Sequence, residues 1–81
     1  MNSEKEKNPK EKVNLLNHVK NLTAEIDTNP ANAEILHSRA AVYIKLQEWA
    51  KAINDYQKIL EIDKNDKIAS GQIDMLTTIL R

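Results

Sequence analysis

Apolar residues recur at helical spacing in the first third of the chain, in steps of four, three and four, which places them on one face of a helix. These residues are Leu15, Val19, Leu22 and Ile26. Asn8 and Pro9 form a typical helix start, because Asn caps free amides and Pro fits the first helical turn. Pro30 disfavours helical geometry in the residue before it. We therefore predict a helix over residues 9–28, after a flexible polar tail at residues 1–8.

The rest of the chain contains three further segments in which apolar and small residues recur at helical spacing. They are residues 33–46, 49–62 and 67–80. Asn32 suits the N-cap of the first segment, and a polar turn at residues 63–66 separates the last two. Short connections between helices of this length make neighbouring helices antiparallel. The predicted fold is therefore all-α, with about four antiparallel helices in one helical domain over residues 9–81.

The second and third predicted helices carry particular residue types at fixed spacing. The second helix has Leu36, Arg39, Ala40 and Tyr43, and the third has Ala52 and Tyr56. In this pattern residues 33–66 resemble the tetratricopeptide repeat, a helix pair with the spacing W-x2-L-G-x2-Y, then A-x3-F and a proline. Residues 9–28 resemble the second helix of a preceding repeat, and residues 67–81 resemble the first helix of a following one. The resemblance implies one complete repeat with two flanking half-repeats, in a fragment of a right-handed α–α superhelix.

The resemblance also implies which side chains form the core of the repeat. They are Leu36, Ala40, Tyr43, Trp49, Ala52, Tyr56 and Leu60. Ala40 and Ala52 are small where the paired helices approach closely, and the aromatic side chains fill the space beside them. Arg39 departs from the pattern, because the family has a large apolar residue at this position. We expect Arg39 to mark a helix edge that lies open, since no complete earlier repeat covers it.

The last predicted helix has two apolar stripes. The first suits packing on the third helix and consists of Ala69, Ile73, Leu76 and Leu80. The second lies about 100° away around the helix and consists of Ile68, Met75 and Ile79. A terminal helix of a repeat stack is expected to have a polar outer face. Three explanations of the second stripe stay open: packing on the first or second helix, contact with a partner such as a second copy, or incidental surface hydrophobicity.

In the tetratricopeptide family, the inner surface of the stack is formed mainly by the first helix of each repeat. The matching positions here form the candidate partner surface: Glu34, His37, Ser38, Ala41 and Lys45, then Ile68, Gln72, Met75 and Ile79. Some members bind a peptide's C-terminal carboxylate there through Lys, Asn and Arg. That set is absent here, so we predict no carboxylate clamp and an apolar or mixed peptide instead. The resemblance thus implies a scaffold or adaptor that binds itself, or a helical or extended segment of a partner protein.

The size of the chain bears on its association. A chain of 81 residues builds a thin core, and it has no cysteine for disulfides. Stacked repeats hide their apolar faces against neighbours, and about three repeats are usually needed for stability. We therefore predict a homo-oligomer, with a dimer as the simplest case.

The balance of charged residues argues against nucleic acid and membranes as partners. Twelve Lys and Arg balance twelve Asp and Glu, so the chain has no net field to gather nucleic acid or an anionic membrane. The charged N-terminal segment lacks the apolar stretch of a secretory signal. We predict a cytoplasmic protein without nucleic-acid or membrane partners. The alternative function is a nucleic-acid-associated helical repeat, which would require a basic stripe, whereas acidic residues here alternate with Lys45, Lys51 and Lys58.

Candidate residues for chemistry are few. His18 and His37 lie on different predicted helices without the spacing of a metal site. Ser38 follows His37, but neighbours on a helix point about 100° apart, and no Asp is placed to orient the imidazole. The turn at residues 63–66 lacks the glycine and the distal glutamate of a calcium loop. We predict no catalytic residue, no cofactor and no metal, and therefore no enzyme.

Overall fold

The computed structural model describes residues 9–81, which contain four helices. They are α1 (Pro9–Thr28), α2 (Ala33–Lys45), α3 (Trp49–Ile62) and α4 (Lys67–Leu80). No strand occurs in this part of the chain. The all-α prediction is confirmed, and the helix boundaries are as predicted except that α2 ends one residue earlier. The predicted tail at residues 1–8, with the expected cap Asn8, lies outside the described residues.

Two of the helices begin at a capping side chain. The side-chain Oδ1 of Asn32 accepts a hydrogen bond from the backbone N–H of Ile35 at 3.3 Å, and Oδ1 of Asp66 accepts one from the N–H of Ala69 at 2.9 Å. Each bond satisfies an amide of the first helical turn that has no partner within the helix. Asn32 therefore caps α2 as predicted, and Asp66 fixes the start of α4.

The end of α2 is determined by a residue whose backbone has a left-handed conformation. Gln47 has a φ of 61°. Its N–H donates to the carbonyl of Ile44 at 2.9 Å, and the N–H of Glu48 donates to the carbonyl of Tyr43 at 2.8 Å. This pair of bonds is the Schellman motif, which closes a helix and turns the chain away. The motif ends α2 at Lys45, one residue before the predicted end.

The helices pack in chain order, α1 on α2, α2 on α3 and α3 on α4. Because each short turn reverses the chain, α2 and α4 run in the same direction. One buried apolar cluster links all four helices: Ile26, Leu36, Ala40, Ala52, Tyr56, Ile59, Ala69 and Leu76. Ala40 and Ala52 have no exposed surface, so their small side chains let α2 and α3 approach closely. The centre of the core therefore lies between α2 and α3.

The residues expected to form the repeat core differ in how far they are buried. Leu36, Ala40, Ala52 and Tyr56 are buried, whereas Tyr43, Trp49 and Leu60 are partly buried against the cluster. The ring of Tyr43 is flanked by two cations, with the guanidinium carbon of Arg39 at 5.5 Å and Nζ of Lys51 at 5.8 Å from its centroid. Tyr43 therefore packs on the core and also lies against two charged groups.

The expectation that Arg39 marks an open helix edge is wrong. Nε and Nη2 of Arg39 donate to the two carboxylate oxygens of Asp55 at 2.9 and 2.7 Å, and Nη1 donates to Oγ1 of Thr23 at 3.0 Å. The side chains of Arg39 and Asp55 are only 13% and 2% exposed. Arg39 therefore joins α1, α2 and α3 through a paired charge. The hydrogen bonds that it donates to the carboxylate of Asp55 raise the pKa of its guanidinium.

Candidate functional site

The last helix buries one of its two apolar stripes and exposes the other. Ala69 and Leu76 are fully buried, Ile73 packs on the core at partial exposure, and Leu80 is half-exposed at the end of the helix. The opposite stripe is exposed: Ile68 at 65%, Met75 at 47% and Ile79 at 47%. Packing of this stripe on α1 or α2, which the sequence left open, does not occur. With Gln72 between them, these residues form a continuous row, which we call the α4 stripe: Ile68, Gln72, Met75 and Ile79.

A second row lies at the equivalent positions of α2, 34 residues earlier in the chain. We call it the α2 stripe, and it consists of Glu34, Ser38, Ala41 and Lys45. All four residues are exposed. The α2 stripe is polar and carries opposite charges at its two ends, whereas the α4 stripe is mostly apolar. The two stripes contain every residue of the candidate partner surface predicted from sequence except His37.

His37 connects the two helices that carry these stripes. Its Nε2 lies 2.8 Å from Oδ2 of Asp66, and its ring meets the ring of Tyr56 edge-on, with centroids 5.7 Å apart at 64°. The hydrogen bond from His37 lowers the pKa of Asp66, and the N–H of Ala69 adds to this effect. Burial raises the pKa of Tyr56. His37 is thus partly buried in a junction between α2 and the start of α4, and its bond to Asp66 links the two helices that carry the stripes.

Gln72 stands in the middle of the α4 stripe with an unsatisfied atom. Its side chain is partly buried, and its Oε1 is inaccessible to water and has no hydrogen-bond partner within residues 9–81. An unpaired buried carbonyl costs free energy, because it has lost its bonds to water without replacing them. This atom therefore marks a point at which the single chain is incompletely satisfied.

The residues weighed for chemistry are not gathered into a site. His18 is exposed on α1, whereas His37 is held by Asp66, and Ser38 points to solvent one residue further along. No group of three or more His, Asp or Glu side chains in the described part of the chain could hold a metal ion. Within residues 9–81, no helix combines the length and the apolar character that crossing a bilayer requires.

Three structurally important residues were missing from the predicted set. Asp55 is the buried partner of Arg39, Asp66 caps α4 and holds His37, and Val42 is buried on α2. Asp55 could have been found, because it shares the inner face of α3 with Ala52 and Tyr56. The partnership of His37 and Asp66 joins residues 29 positions apart, and no local pattern signals it.

Comparison with known proteins identifies the central hairpin. Residues 33–66 match the family model of the tetratricopeptide repeat, and the match spans α2, α3 and the turn into α4. No curated protein and no solved structure matches the chain significantly. Tetratricopeptide repeats are in general protein–protein interaction modules without catalysis. The match supports assigning residues 33–66, which are 34 of the 81 residues, to the tetratricopeptide repeat.

Proposed function

We propose that this chain is a scaffold or adaptor whose contact surface consists of the α2 and α4 stripes. The observation that carries the proposal is the exposure of Ile68, Met75 and Ile79 in one row beside the complete repeat. Three large apolar side chains in a row form a patch, and patches of this kind mark interaction sites more often than scattered residues do. The partner is a protein segment, either helical or extended, or a second copy of the chain.

The chemistry of the two stripes favours an amphipathic partner. A helix that lays an apolar face on the α4 stripe would bury it, while polar residues of the same segment reach Glu34 and Lys45. The unbranched thioether of Met75 adapts to different apolar surfaces. The hydrogen bond between His37 and Asp66 holds the first turn of α4 beside α2, so the surface is in place before a partner binds. Such preorganisation reduces the entropy lost on binding.

Site-specific photo-crosslinking tests the proposed contact surface without requiring the partner to be known. Met75 is replaced by p-benzoylphenylalanine, and the matched control carries the same residue at Lys58, which is exposed on α3. We expect protein adducts from position 75, to a second copy or to another protein, and few from position 58. The adducts should disappear when Ile68→Asp and Ile79→Asp are added. The same yield and the same adducts from both positions would contradict the proposal.

A further inference from the structure

The two stripes are self-complementary, and this property identifies a partner within the surface proposed above. We infer that the partner is a second copy of this chain, packed face to face about a two-fold axis that crosses α2 and α4. In this arrangement α4 lies antiparallel to α4 of the second copy, and α2 lies antiparallel to α2. The inference depends on the proposed contact surface and adds the identity and the orientation of its partner.

The first argument is the spacing of the α4 stripe. Its residues follow one another in steps of four, three and four, a row that reads the same from either end. Such spacing is that of an apolar seam between two helices. When two identical helices pack antiparallel about a two-fold axis, the first residue of the row meets the last. Ile68 then lies opposite Ile79 of the second copy, and Met75 lies opposite Gln72 of the second copy.

The second argument is the charge of the α2 stripe. It has the same spacing as the α4 stripe and lies 34 residues earlier, and α2 runs in the same direction as α4, so one axis serves both rows. That axis places Glu34 opposite Lys45 of the second copy, and Lys45 opposite Glu34 of the second copy. Ser38 and Ala41, the small residues of the row, meet beside the axis and allow close approach. A two-fold axis parallel to the helices would instead place each α2 stripe on the α4 stripe of the second copy, which covers Glu34 and Lys45 with apolar residues and gives neither an opposite charge.

The third argument is the position of Gln72, a polar residue near the centre of the α4 stripe. In the antiparallel pair the two Gln72 side chains flank the axis, offset by three residues, or about 4.5 Å of helical rise. After rotation of the amide, Nε2 of each Gln72 can donate to Oε1 of the other. A polar residue inside an apolar seam fixes the register of the paired helices. This exchange would place a polar contact at the centre of the seam and favour the antiparallel register.

The size of the surface sets the expected affinity. Helices of 13 and 14 residues make a face about 20 Å long and two helices wide. A face of this size lies at the lower end of specific interfaces, of which roughly 800 Å² per partner is typical. We therefore expect a reversible dimer with a Kd in the micromolar range, built on one isologous contact.

A charge swap tests the inference by analytical ultracentrifugation at low ionic strength. In Glu34→Lys each dimer loses two attractive pairs and gains two repulsive ones, so we expect Kd to rise about tenfold. Lys45→Glu should have the same effect. The double variant Glu34→Lys/Lys45→Glu restores opposite charges in both pairs, and its Kd should return to that of the parent. Glu61→Lys, an equal charge change at an exposed site on α3, is the control and should leave Kd unchanged.

The results of ultracentrifugation and crosslinking together distinguish failure of the two-fold dimer from failure of the proposed contact surface. A parent chain that stays monomeric at millimolar concentration, or a double variant no better than the two single ones, overturns the two-fold dimer. If crosslinking from position 75 still captures a different protein, the contact surface stands and only its partner is wrong. A monomeric parent without specific adducts at position 75 overturns both. Circular dichroism of each variant shows that the helices remain folded.

Discussion

The α2–α3 hairpin and α4 bury their surfaces in different ways. The hairpin joins two helices across fully buried Ala40 and Ala52, with Tyr56 beside them. It also holds the charged pair of Arg39 and Asp55. By contrast, α4 packs on α3 along one side and leaves the apolar row on its other side exposed. Equivalent positions are thus mostly polar on α2 and mostly apolar on α4.

This difference separates what folds the chain from what the chain can bind. Buried side chains lower the free energy of the folded state by leaving water, and exposed ones contribute little until something covers them. Substitutions in the hairpin should therefore change stability, whereas substitutions in the α4 stripe should change association. Substitutions in both regions test this separation, and those in the hairpin should have the larger effects on stability.

Tyr56→Ala should cause the largest loss of stability. Tyr56 is buried in the hairpin, and removal of its ring leaves a cavity that costs about 3–5 kcal/mol, by analogy with Phe→Ala. A domain this small has only about 3–5 kcal/mol of stability in total, so the variant should be largely unfolded at 25 °C. Urea denaturation followed by circular dichroism measures the change. Met75→Ala is the matched control, since it truncates a large residue of the exposed stripe and should change stability by less than about 0.5 kcal/mol in the monomer.

Asp55→Leu should cost about 3 kcal/mol, because it leaves the guanidinium of Arg39 without its carboxylate in a largely buried position. The double variant Arg39→Leu/Asp55→Leu should recover most of that loss. It removes both charges and places at position 39 the apolar residue that the family usually has there. Chemical denaturation of the parent, the single variant and the double variant gives the comparison. A double variant as unstable as the single one would show that the pair contributes more than charge balance.

The helices themselves could be predicted from sequence, and the polar contacts between them could not. Pro9, Asn32 and the turn at residues 63–66 act on the residues next to them, so local patterns were enough to place the helix ends. Arg39 was misjudged because its partner lies 16 residues away on another helix. The useful signal was Asp55, a carboxylate on the inner face of α3, which requires a cation to pair with it when it is buried.

The candidate surface was predictable only in part. The spacing of Ile68, Met75 and Ile79 showed a second apolar stripe on α4, but spacing within one helix does not show whether another helix reaches it. That depends on how the helices pack, and the equivalent positions of α2, which lies between α1 and α3, are exposed as well. The exposed position of the stripe follows from tertiary structure alone.

The pair of His37 and Asp66 predicts a pH effect at the start of α4. The pKa of Asp66 in the folded chain is lowered from an ordinary value of 3.8, so the charged carboxylate stabilises the fold above that value. The contribution is lost as the pH falls below 3.8 through the lowered folded value. Asp66→Asn keeps a capping side chain but removes the charge. The difference in melting temperature between the parent and this variant should therefore shrink as the pH is lowered from neutral to about 2.

The matched comparison for this prediction is made in a chain without the imidazole. His37→Gln removes the larger cause of the lowered pKa of Asp66. The difference between His37→Gln and His37→Gln/Asp66→Asn should then vary less with pH. If the two differences follow the same pH profile, His37 does not control the ionisation of Asp66, and the junction between α2 and α4 is weaker than the 2.8 Å contact indicates.

Gln47→Gly should produce the smallest change, and it should be a gain. Gln47 lies in the left-handed region with a φ of 61°, where a Cβ costs roughly 1–2 kcal/mol, and Gly is the usual residue at this place in a Schellman motif. Part of the gain is offset because Gly makes the unfolded chain more flexible. We expect a net stabilisation of about 0.5–1 kcal/mol, or a rise of roughly 4 °C in Tm.

A glycine placed inside a helix sharpens this last test. Gln57→Gly, at an exposed position within α3, should lower stability by about 1 kcal/mol, because Gly is a poor helix residue. The same chemical change would then have opposite signs at two sites of one hairpin, determined only by the backbone conformation. Since both sites lie off the α2 and α4 stripes, neither variant should alter the proposed association. A loss of stability in Gln47→Gly would mean that the turn after α2 does not hold the left-handed conformation in solution.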